Sequence, residues 1–392
     1  MQRIAIVTPM LPVPYDLTRG RYIHEIAGSL AKLAHVRVFF MQQAYPRLPG
    51  LHPRSVLSGR VGSDYRLPDV DVETFSYPAI PGLSRVLNGF VASRALTPRL
   101  RSFEPDLVLA YWVYPDGAAA LRSARALGLP CVVGALGSDI HVRSGFNHVM
   151  TRHTIAGVDA LVTVSEAMRQ TAIAEFGALP DKVHTIINGY NTAVFHPRPQ
   201  AVMRARLAIA SDARLIVYVG RFVEAKGMRE LLAAFQLLGQ ANPQARLALV
   251  GDGVMRQELI DLVQAANLGE RVVMPGGLAP EHVAEWIGAA DVLTLPSWSE
   301  GYPNVVVEAI ACGCPVVATD VGGTREIVNA TNGILIPPRD PLALQAALET
   351  ALASEWDRAG MAASMQRTWD DVASETLDVC ERTLSVARRR HA

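Results

Sequence analysis

The chain alternates short apolar segments with longer helical ones, and it completes this alternation twice. The first round contains seven strand candidates, at residues 3–7, 36–40, 72–75, 107–110, 131–135, 160–164 and 183–187. The second round contains six, at residues 214–220, 245–251, 271–276, 291–296, 315–319 and 333–337. Near-continuous apolar strands of this kind belong to parallel sheets that helices cover on both faces. We therefore predict an α/β chain with two doubly wound, Rossmann-like domains.

Residues 188–212 separate the two rounds. This stretch is turn-forming and contains prolines, so we place the link between the domains here. A chain of 392 residues is also too long for one ordinary core. We predict an N-terminal domain over residues 1–190 and a C-terminal domain over residues 191–370. Ligands of such sheets bind beyond the carboxyl ends of the strands, which predicts a site in a cleft that both domains face.

The composition narrows the class of protein and its location. Lys and Arg together number 37, as do Asp and Glu, and this balance argues against nucleic acid as the main partner. The apolar run near the start is too short for a signal peptide, and no segment reaches the length of about 18 apolar residues that a membrane span needs. The four cysteines fit neither a zinc site nor a disulfide framework. We expect a soluble cytoplasmic protein, with contact to the inner face of the plasma membrane left open.

Two cations follow the first strand of the second domain. The strand ends at Gly220, and the loop before the next helix carries Arg221 and Lys226. Two cations at the carboxyl end of a parallel strand suit a polyanion such as a diphosphate. The alternative is that both side chains are ordinary solvated surface charges.

The segment EGYPNVVVE, residues 300–308, turns the chain into an apolar helix. Pro303 fits the first helical position, where its missing N–H costs nothing. The backbone amides of Tyr302, Asn304 and Val305 then point out of the helix start, where they can bind phosphate.

One glutamate stands on each side of this turn. Glu300 lies just before the helix and can bond to hydroxyl groups, whereas Glu308 lies one turn beyond Asn304 and can hold a ribose diol. The spacing thus suits a nucleotide-sugar, with the diphosphate at the helix start and a carboxylate toward each sugar. The alternative is that Glu300 caps the helix and Glu308 is solvated, although the apolar neighbours of Glu308 disfavour solvation.

Several segments together resemble the retaining glycosyltransferases of family four, which have the GT-B fold. The segments are GRFVEAKG at 220–227, VGDG at 250–253, the run from 296 to 328, and NGILIPP at 332–338. The pair formed by Glu300 and Glu308 has the E-x7-E spacing of that family. The resemblance covers nearly the whole chain and is strongest over residues 183–340.

The resemblance implies specific roles in the second domain. Arg221 and Lys226 would stabilise the departing diphosphate, and Glu300 would contact the donor sugar. The remaining donor-binding residues that it implies are Gly301, Tyr302, Asn304, Val305 beneath the nucleotide, Glu308 at the ribose, and Gly276 in the MPGG loop that frames the base.

In such enzymes the N-terminal half binds the acceptor, and the resemblance marks three positions there. Gly20 would bring backbone near the diphosphate. Asp139 and His141 follow a strand in the segment VVGALGSDIHV, and either can face the donor sugar. Leu136 stands where the family often has histidine. Similar enzymes also pack their last helix, here residues 371–392, back on the first domain.

The implied reaction moves a hexose from a nucleoside-diphosphate sugar to a hydroxyl acceptor with retention of anomeric configuration. The acceptor would be a saccharide or a polyprenyl-linked saccharide in polysaccharide biosynthesis, and no cofactor is expected. No residue is placed as a nucleophile, so catalysis would depend on stabilisation of the leaving diphosphate's charge by Arg221, Lys226 and helix amides.

Three alternatives are open to different degrees. A nicotinamide-dependent oxidoreductase is disfavoured, because no G-x-G-x-x-G follows the first strand. A nucleotide-sugar epimerase or a phosphorylase-like GT-B enzyme shares the architecture. A non-catalytic regulator that binds a saccharide or a nucleotide is the third alternative.

Two further segments raise the questions of metal binding and of membrane contact. Asp69 and Asp71 form a D-x-D pattern, which we interpret as the entry to a strand, and we expect no obligate metal. Residues 81–103 mix apolar residues with four arginines, as a helix on anionic lipid does, although a core-packed helix with a basic solvated face is the commoner explanation.

Overall fold

The chain forms two compact units. The computed structural model describes residues 1–16, 18–45, 60–80, 84, 87–137, 139–140 and 145–391. The first unit comprises Met1–Gly189 together with Trp369–Ala392, and the second comprises Tyr190–Thr368.

Seven parallel strands form the sheet of the first unit, in the order β3-β2-β1-β4-β5-β6-β7. They are β1 (Arg3–Thr8), β2 (His35–Ala44), β3 (Asp71–Pro78), β4 (Leu107–Tyr111), β5 (Cys131–Ala135), β6 (Ala160–Thr163) and β7 (Val183–Thr185). The helices between them are α1 (Arg21–Ala31), α2 (Asn88–Phe103), α3 (Ala118–Leu127), α4 (Gly145–Gly157) and α5 (Glu166–Phe176). The strand order reverses between β1 and β4. In doubly wound sheets, ligands bind beyond the carboxyl ends of the strands at such a reversal.

Six parallel strands form the sheet of the second unit, in the order β10-β9-β8-β11-β12-β13. They are β8 (Arg214–Val219), β9 (Ala245–Val250), β10 (Val272–Gly276), β11 (Val292–Leu295), β12 (Val316–Thr319) and β13 (Gly333–Ile336). Its helices are α6 (Gln200–Arg206), α7 (Met228–Ala241), α8 (Arg256–Ala265), α9 (Pro280–Ala289), α10 (Asn304–Ala311), α11 (Pro341–Ala353) and α12 (Arg358–Ser364). Here the order reverses between β8 and β11.

The last helix, α13 (Trp369–His391), belongs to the first unit and packs against α1. Its apolar face, with Val372, Ala373 and Cys380, is buried in the core of that unit. Its basic end is close to two carboxylates, since Arg388 Nη2 lies 3.7 Å from Asp106 Oδ1 and Arg390 Nη1 lies 3.7 Å from Asp159 Oδ1.

The predicted fold class is confirmed, because both units are Rossmann-like α/β domains with wholly parallel sheets. Every predicted strand overlaps an observed one. The largest difference is in β2, which continues to Ala44 because residues 41–44 pair with residues 75–78 of β3. All four cysteines are free thiols and buried, as small core residues are. Among the described residues, no helix combines the length and the apolar character that crossing a membrane requires.

A buried ion pair fixes the amino end of the second sheet and gives a test of the fold. Asp291 Oδ2 accepts hydrogen bonds from Arg204 Nη2 and from the Leu215 amide, both at 2.7 Å, and the two side chains are 16% and 10% exposed. We predict that Asp291→Ala lowers the free energy of unfolding by about 3 kcal/mol or more, since it leaves a buried guanidinium unpaired.

Urea denaturation of both variants measures this effect against a matched control. Asp370 pairs with Lys32 at the same 2.7 Å, but those side chains are 63% and 64% exposed, so Asp370→Ala should cost about 1 kcal/mol or less. Equal losses in the two variants would contradict the prediction.

Candidate functional site

An ion pair at the switch point of the second sheet is the centre of the candidate site. Lys226 follows β8 and Glu300 follows β11, and Lys226 Nζ lies 2.5 Å from Glu300 Oε1. The two side chains are 21% and 10% exposed, so the contact is largely shielded from solvent. Arg221, in the same loop as Lys226, is exposed. The topology therefore brings together three of the predicted catalytic side chains at one edge of the sheet.

Backbone contacts hold the loops that carry this pair. The Trp298 amide donates to the Ala225 carbonyl at 2.8 Å, which ties the Glu300 loop to the Lys226 loop. Gly227 has a φ of 67°, and a Cβ there would lie 2.0 Å from the Pro296 carbonyl oxygen. Only glycine fits such a close approach.

The loop after β12 supports Glu300 from the other side. The Gly323 amide donates to the Gly301 carbonyl at 3.0 Å. Gly322 has a φ of 51°, and a Cβ there would lie 1.9 Å from the Glu300 carbonyl oxygen. Three strand-end loops are thus packed backbone to backbone around one carboxylate.

Helix α10 begins beside the ion pair. The helix starts at Asn304, and Pro303 is the residue before its first turn, with φ −76° and ψ 101°. The prediction that Pro303 occupies the first helical position is therefore wrong by one residue. Its extended ψ keeps it out of the helix, while its carbonyl accepts the first bond, from the Val306 amide at 3.0 Å. The first turn carries no acidic side chain, so the helix start is suited to an anion.

The alternative interpretations of the two glutamates fail. Glu308 is 8% exposed on α10, so it is not a solvated surface residue. Glu300 bonds to Lys226 instead of serving as an ordinary solvated cap. The structure thus contradicts both alternatives, and ligand binding by the two carboxylates stays a prediction.

Several neighbours of the pair had no signal in the sequence. The indole Nε1 of Trp298 donates to Glu230 Oε1 at 3.0 Å, and the guanidinium of Arg339 lies 4.2 Å from the centre of a Trp298 ring. The hydroxyl of Tyr218 donates to the Arg221 carbonyl at 3.0 Å. Burial, together with the nearby Glu300 charge, raises the pKa of Tyr218, so this donor stays protonated. No local pattern in the sequence encodes these contacts.

The other predicted donor-binding positions surround the same edge. Val305 packs against the core of the second unit. Burial raises the pKa of Tyr302 to about 12, with a further contribution from Glu326, so its hydroxyl is a neutral hydrogen-bond donor. Gly276 ends β10 with a φ of 90°, and its carbonyl accepts from the Gly251 amide at 2.8 Å. This bond joins the VGDG and MPGG loops.

Gly20 lies after β1 in the first unit, directly before α1. Its φ is 60°, and a Cβ would lie 2.5 Å from the Met10 carbonyl, so no larger residue fits. Its neighbour Arg19 donates from Nη2 to the Pro9 carbonyl at 2.9 Å, which anchors the loop.

Asp139 lies after β5 and is buried. Its carboxylate accepts from the backbone amides of Gly137 at 2.9 Å, Leu136 at 3.0 Å and Val113 at 3.1 Å. These bonds give Asp139 a positioning role for two loops, and its contact with a donor sugar stays a prediction. His141 lies outside the described residues.

Asp116 is a buried carboxyl that sequence reasoning did not single out. It follows β4, beside the switch point of the first sheet. Burial raises the pKa of Asp116 to about 7, with Arg19 opposing the shift and Asp139 adding to it. The sequence YWVYPDG contains no pattern that distinguishes this carboxyl from a surface one.

The remaining prediction concerns a metal at the D-x-D segment. Asp71 opens β3 and pairs with Arg37 Nε at 2.7 Å. Within the described part of the chain, no group of three or more His, Cys, Asp or Glu side chains is arranged to hold a metal ion.

Two family models match the chain. Residues 20–194 match Glycosyltransferase Family 4, and residues 199–368 match Glycosyl transferases group 1. The first match lies in the first unit up to Gly189 and continues five residues beyond it, and the second lies wholly within the second unit.

Relatives and solved structures agree with these matches. The chain is 31% identical over 279 residues to the putative teichuronic acid biosynthesis glycosyltransferase TuaC of Bacillus subtilis, which covers 69% of this chain and 68% of that protein. The sucrose-phosphate synthase of Thermosynechococcus elongatus superposes with a TM-score of 0.78 at 23% identity, covering 98% of this chain and 100% of the other. Anabaena HepE in complex with UDP-glucose superposes with a TM-score of 0.70 at 20% identity over the full length of both chains.

The buried Asp116 carboxyl gives a pH-dependent test. The native protein holds its proton up to about pH 7, whereas the unfolded chain releases it near the ordinary pKa of 3.8. Between these values the native state binds more protons, so Asp116 makes stability fall as pH rises. We predict that Asp116→Asn removes this fall, which amounts to about 4 kcal/mol at most.

The measurement is the unfolding free energy of both proteins in urea at several values from pH 4 to pH 8. The gain of the variant over wild type should grow with pH and level off above about pH 7. A difference that is constant across the range would show that Asp116 has no raised pKa.

Proposed function

Because the chain belongs to the glycosyltransferases of group 1 and family 4, we propose that it transfers a hexose from a nucleoside-diphosphate sugar to a hydroxyl acceptor with retention of configuration. Its architecture is that of the GT-B glycosyltransferases. The transferase class follows from the family, whereas the donor, the acceptor and the stereochemistry are parts of the proposal.

The observation that carries the proposal is the Lys226–Glu300 contact beside the start of α10. It combines a cation, a carboxylate and a helix start at the switch point of a doubly wound sheet. A diphosphate needs the cation and the helix start, and a sugar hydroxyl needs the carboxylate. Arg221 adds a second cation in the same loop.

The proposed reaction uses these groups on the leaving side. The bond between the anomeric carbon and the phosphate oxygen breaks, and its electron pair leaves with the nucleoside diphosphate. The acceptor oxygen bonds to the same carbon on the same face, and its proton passes to a phosphate oxygen. Lys226, Arg221 and the helix amides stabilise the charge that develops on the diphosphate. Glu300 orients the donor sugar by accepting hydrogen bonds from the hydroxyl groups of the sugar.

The nucleoside would be held by residues farther along the same edge. We propose that Glu308 binds the ribose diol, that Val305 and Tyr302 pack near the nucleotide, and that the loop at Gly276 frames the base. The solved complexes of HepE with UDP and UDP-glucose support a nucleotide-sugar donor. No bound cofactor is needed for this chemistry, because the donor is itself activated.

For the acceptor we propose a saccharide, either free or linked to a polyprenyl carrier, in the synthesis of a polysaccharide. The name of TuaC, which refers to teichuronic acid biosynthesis, supports this choice. A lipid-linked acceptor would place the enzyme at the cytoplasmic face of a membrane as a peripheral protein. Nucleic acid is not expected as a partner, since the positive and negative charges of the chain balance.

A substitution of Lys226 tests the proposed site. A panel of nucleotide-sugars is first screened by thermal shift, and turnover of the best donor is then measured as release of nucleoside diphosphate. We predict that Lys226→Ala lowers turnover by roughly 100-fold or more, because a preorganised charge at the leaving group is lost. Lys226→Arg should retain more activity, since it keeps the cation.

Lys32→Ala is the matched control, because Lys32 is also paired with a carboxylate but lies directly after α1 in the first unit. It should leave turnover unchanged. Wild-type turnover in Lys226→Ala would refute the role of the lysine. If no donor releases nucleotide in any variant, a non-catalytic binding protein becomes the better interpretation.

Chelation tests the proposed independence from metal. We expect full turnover in EDTA, because the cations and helix amides supply the charge that a metal ion supplies in other enzymes. Loss of activity in EDTA with recovery on addition of magnesium would contradict this expectation.

A further inference from the structure

Three consecutive helices of the first unit carry positive charge only. The segments that form α2, α3 and α4 contain six arginines and no aspartate or glutamate, although the whole chain has 37 residues of each sign. Five of these arginines are exposed: Arg94, Arg101, Arg122, Arg125 and Arg152. Helix α2 packs against α3, and α3 against α4, so the cations share one layer of the unit.

The same layer exposes large apolar side chains at one rim. Leu87 and Phe90 lie at the start of α2, with 57% and 37% of their surfaces exposed. Phe146 and Val149 lie in the first turns of α4 and are 46% and 59% exposed. Both helices follow parallel strands, so their first turns lie at the carboxyl ends of the sheet. The topology therefore places both pairs on the same rim.

Cations and apolar groups are in direct contact on this rim. The guanidinium of Arg94 lies 4.4 Å from the centre of the Phe90 ring, and that of Arg122, on α3, lies 4.6 Å from it. A solvated basic face has no need of exposed aromatic and branched side chains beside its charges. A surface that enters the headgroup region of a bilayer needs both.

We propose that this rim, formed by the first turns of α2, α3 and α4, docks on an anionic lipid bilayer. The apolar side chains of Leu87, Phe90, Phe146 and Val149 enter the interface, and Arg94 and Arg122, which lie beside Phe90, contact lipid phosphates. The inference rests on the proposed function only in that a lipid-linked acceptor explains why the enzyme would stay at a membrane. The loop after β4 lies at the same carboxyl edge, which is where ligands of doubly wound sheets bind.

Flotation of the full chain with vesicles tests the surface. Vesicles of phosphatidylcholine alone are compared with vesicles that also contain phosphatidylglycerol, at low and at high salt. We expect binding to the anionic vesicles at low salt and its loss at high salt. Arg94→Gln with Arg122→Gln should weaken binding by roughly 30-fold, because each arginine near a charged surface contributes about a factor of five.

Two further variants separate the apolar contribution from simple charge. Leu87→Ser with Val149→Ser should weaken binding with net charge unchanged, and both sites are exposed enough for the fold to tolerate serine. Arg214→Gln with Arg246→Gln is the matched control, since it removes the same charge from the starts of β8 and β9 in the second unit. The control should bind as wild type does.

Absence of wild-type flotation with anionic vesicles would overturn the proposal. Equal loss in the Arg94/Arg122 variant and in the control would overturn it as well, because binding would then follow net charge alone. Binding that the serine variant retains in full would exclude apolar insertion and so overturn the proposed mode of docking. Nucleotide release in the absence of vesicles should be the same in all variants. Nucleotide release therefore tests the proposed reaction, and flotation separately tests the proposed membrane binding.

Discussion

The structure of the candidate site depends on one contact, between Lys226 and Glu300. A shielded ion pair adds little to stability once the desolvation of both ions is counted. Its value is positional, since it holds a cation and a carboxylate side by side at the start of α10 before any ligand arrives. In the reaction that we propose, a diphosphate that binds there takes over the cation and leaves the carboxylate for a sugar. The glycines at 227 and 322 make this possible, because their lack of a Cβ lets three loops meet at backbone distance.

The strands could be predicted from the sequence because parallel strands are buried on both faces, which makes them short unbroken apolar runs. The place of Arg221, Lys226 and Glu300 at one edge of the sheet could be predicted because each follows a strand end, whereas the ligands that they bind stay a prediction. Their mutual contacts could not, since no local pattern encodes a distance between residues 74 positions apart. The one-residue error at Pro303 has a local cause. Proline fits both the first helical position and the extended residue before it, and only ψ distinguishes them.

Two buried carboxyls of the first unit, Asp139 and Asp116, show a different limit of prediction from sequence. Asp139 belongs to a recognisable motif, and in the structure its carboxylate accepts hydrogen bonds from three backbone amides. Asp116 belongs to no such motif, yet it is buried beside the switch point and its pKa is raised. Burial raises the pKa of both carboxyls. Bonds from backbone amides oppose this effect at Asp139, whereas its own backbone and Arg19 oppose it at Asp116. A motif thus identified the carboxyl that supports the loops, and the structure adds a second buried carboxyl with a raised pKa.

A balanced net charge says little about the field at any one surface. The sum over the chain is zero, but α2, α3 and α4 contribute six positive charges and no negative ones, so acidic residues must be concentrated elsewhere. Because the charges balance over the chain, long-range electrostatic attraction to nucleic acid is weak. The electrostatic field near the basic helices is strong, but it decays within about 10 Å in physiological salt. Such a field acts only when an anionic surface is already close, and exposed apolar side chains then extend the contact. The docking proposed above would use this combination, because binding must be strong enough to find the membrane and weak enough to let the protein move along it.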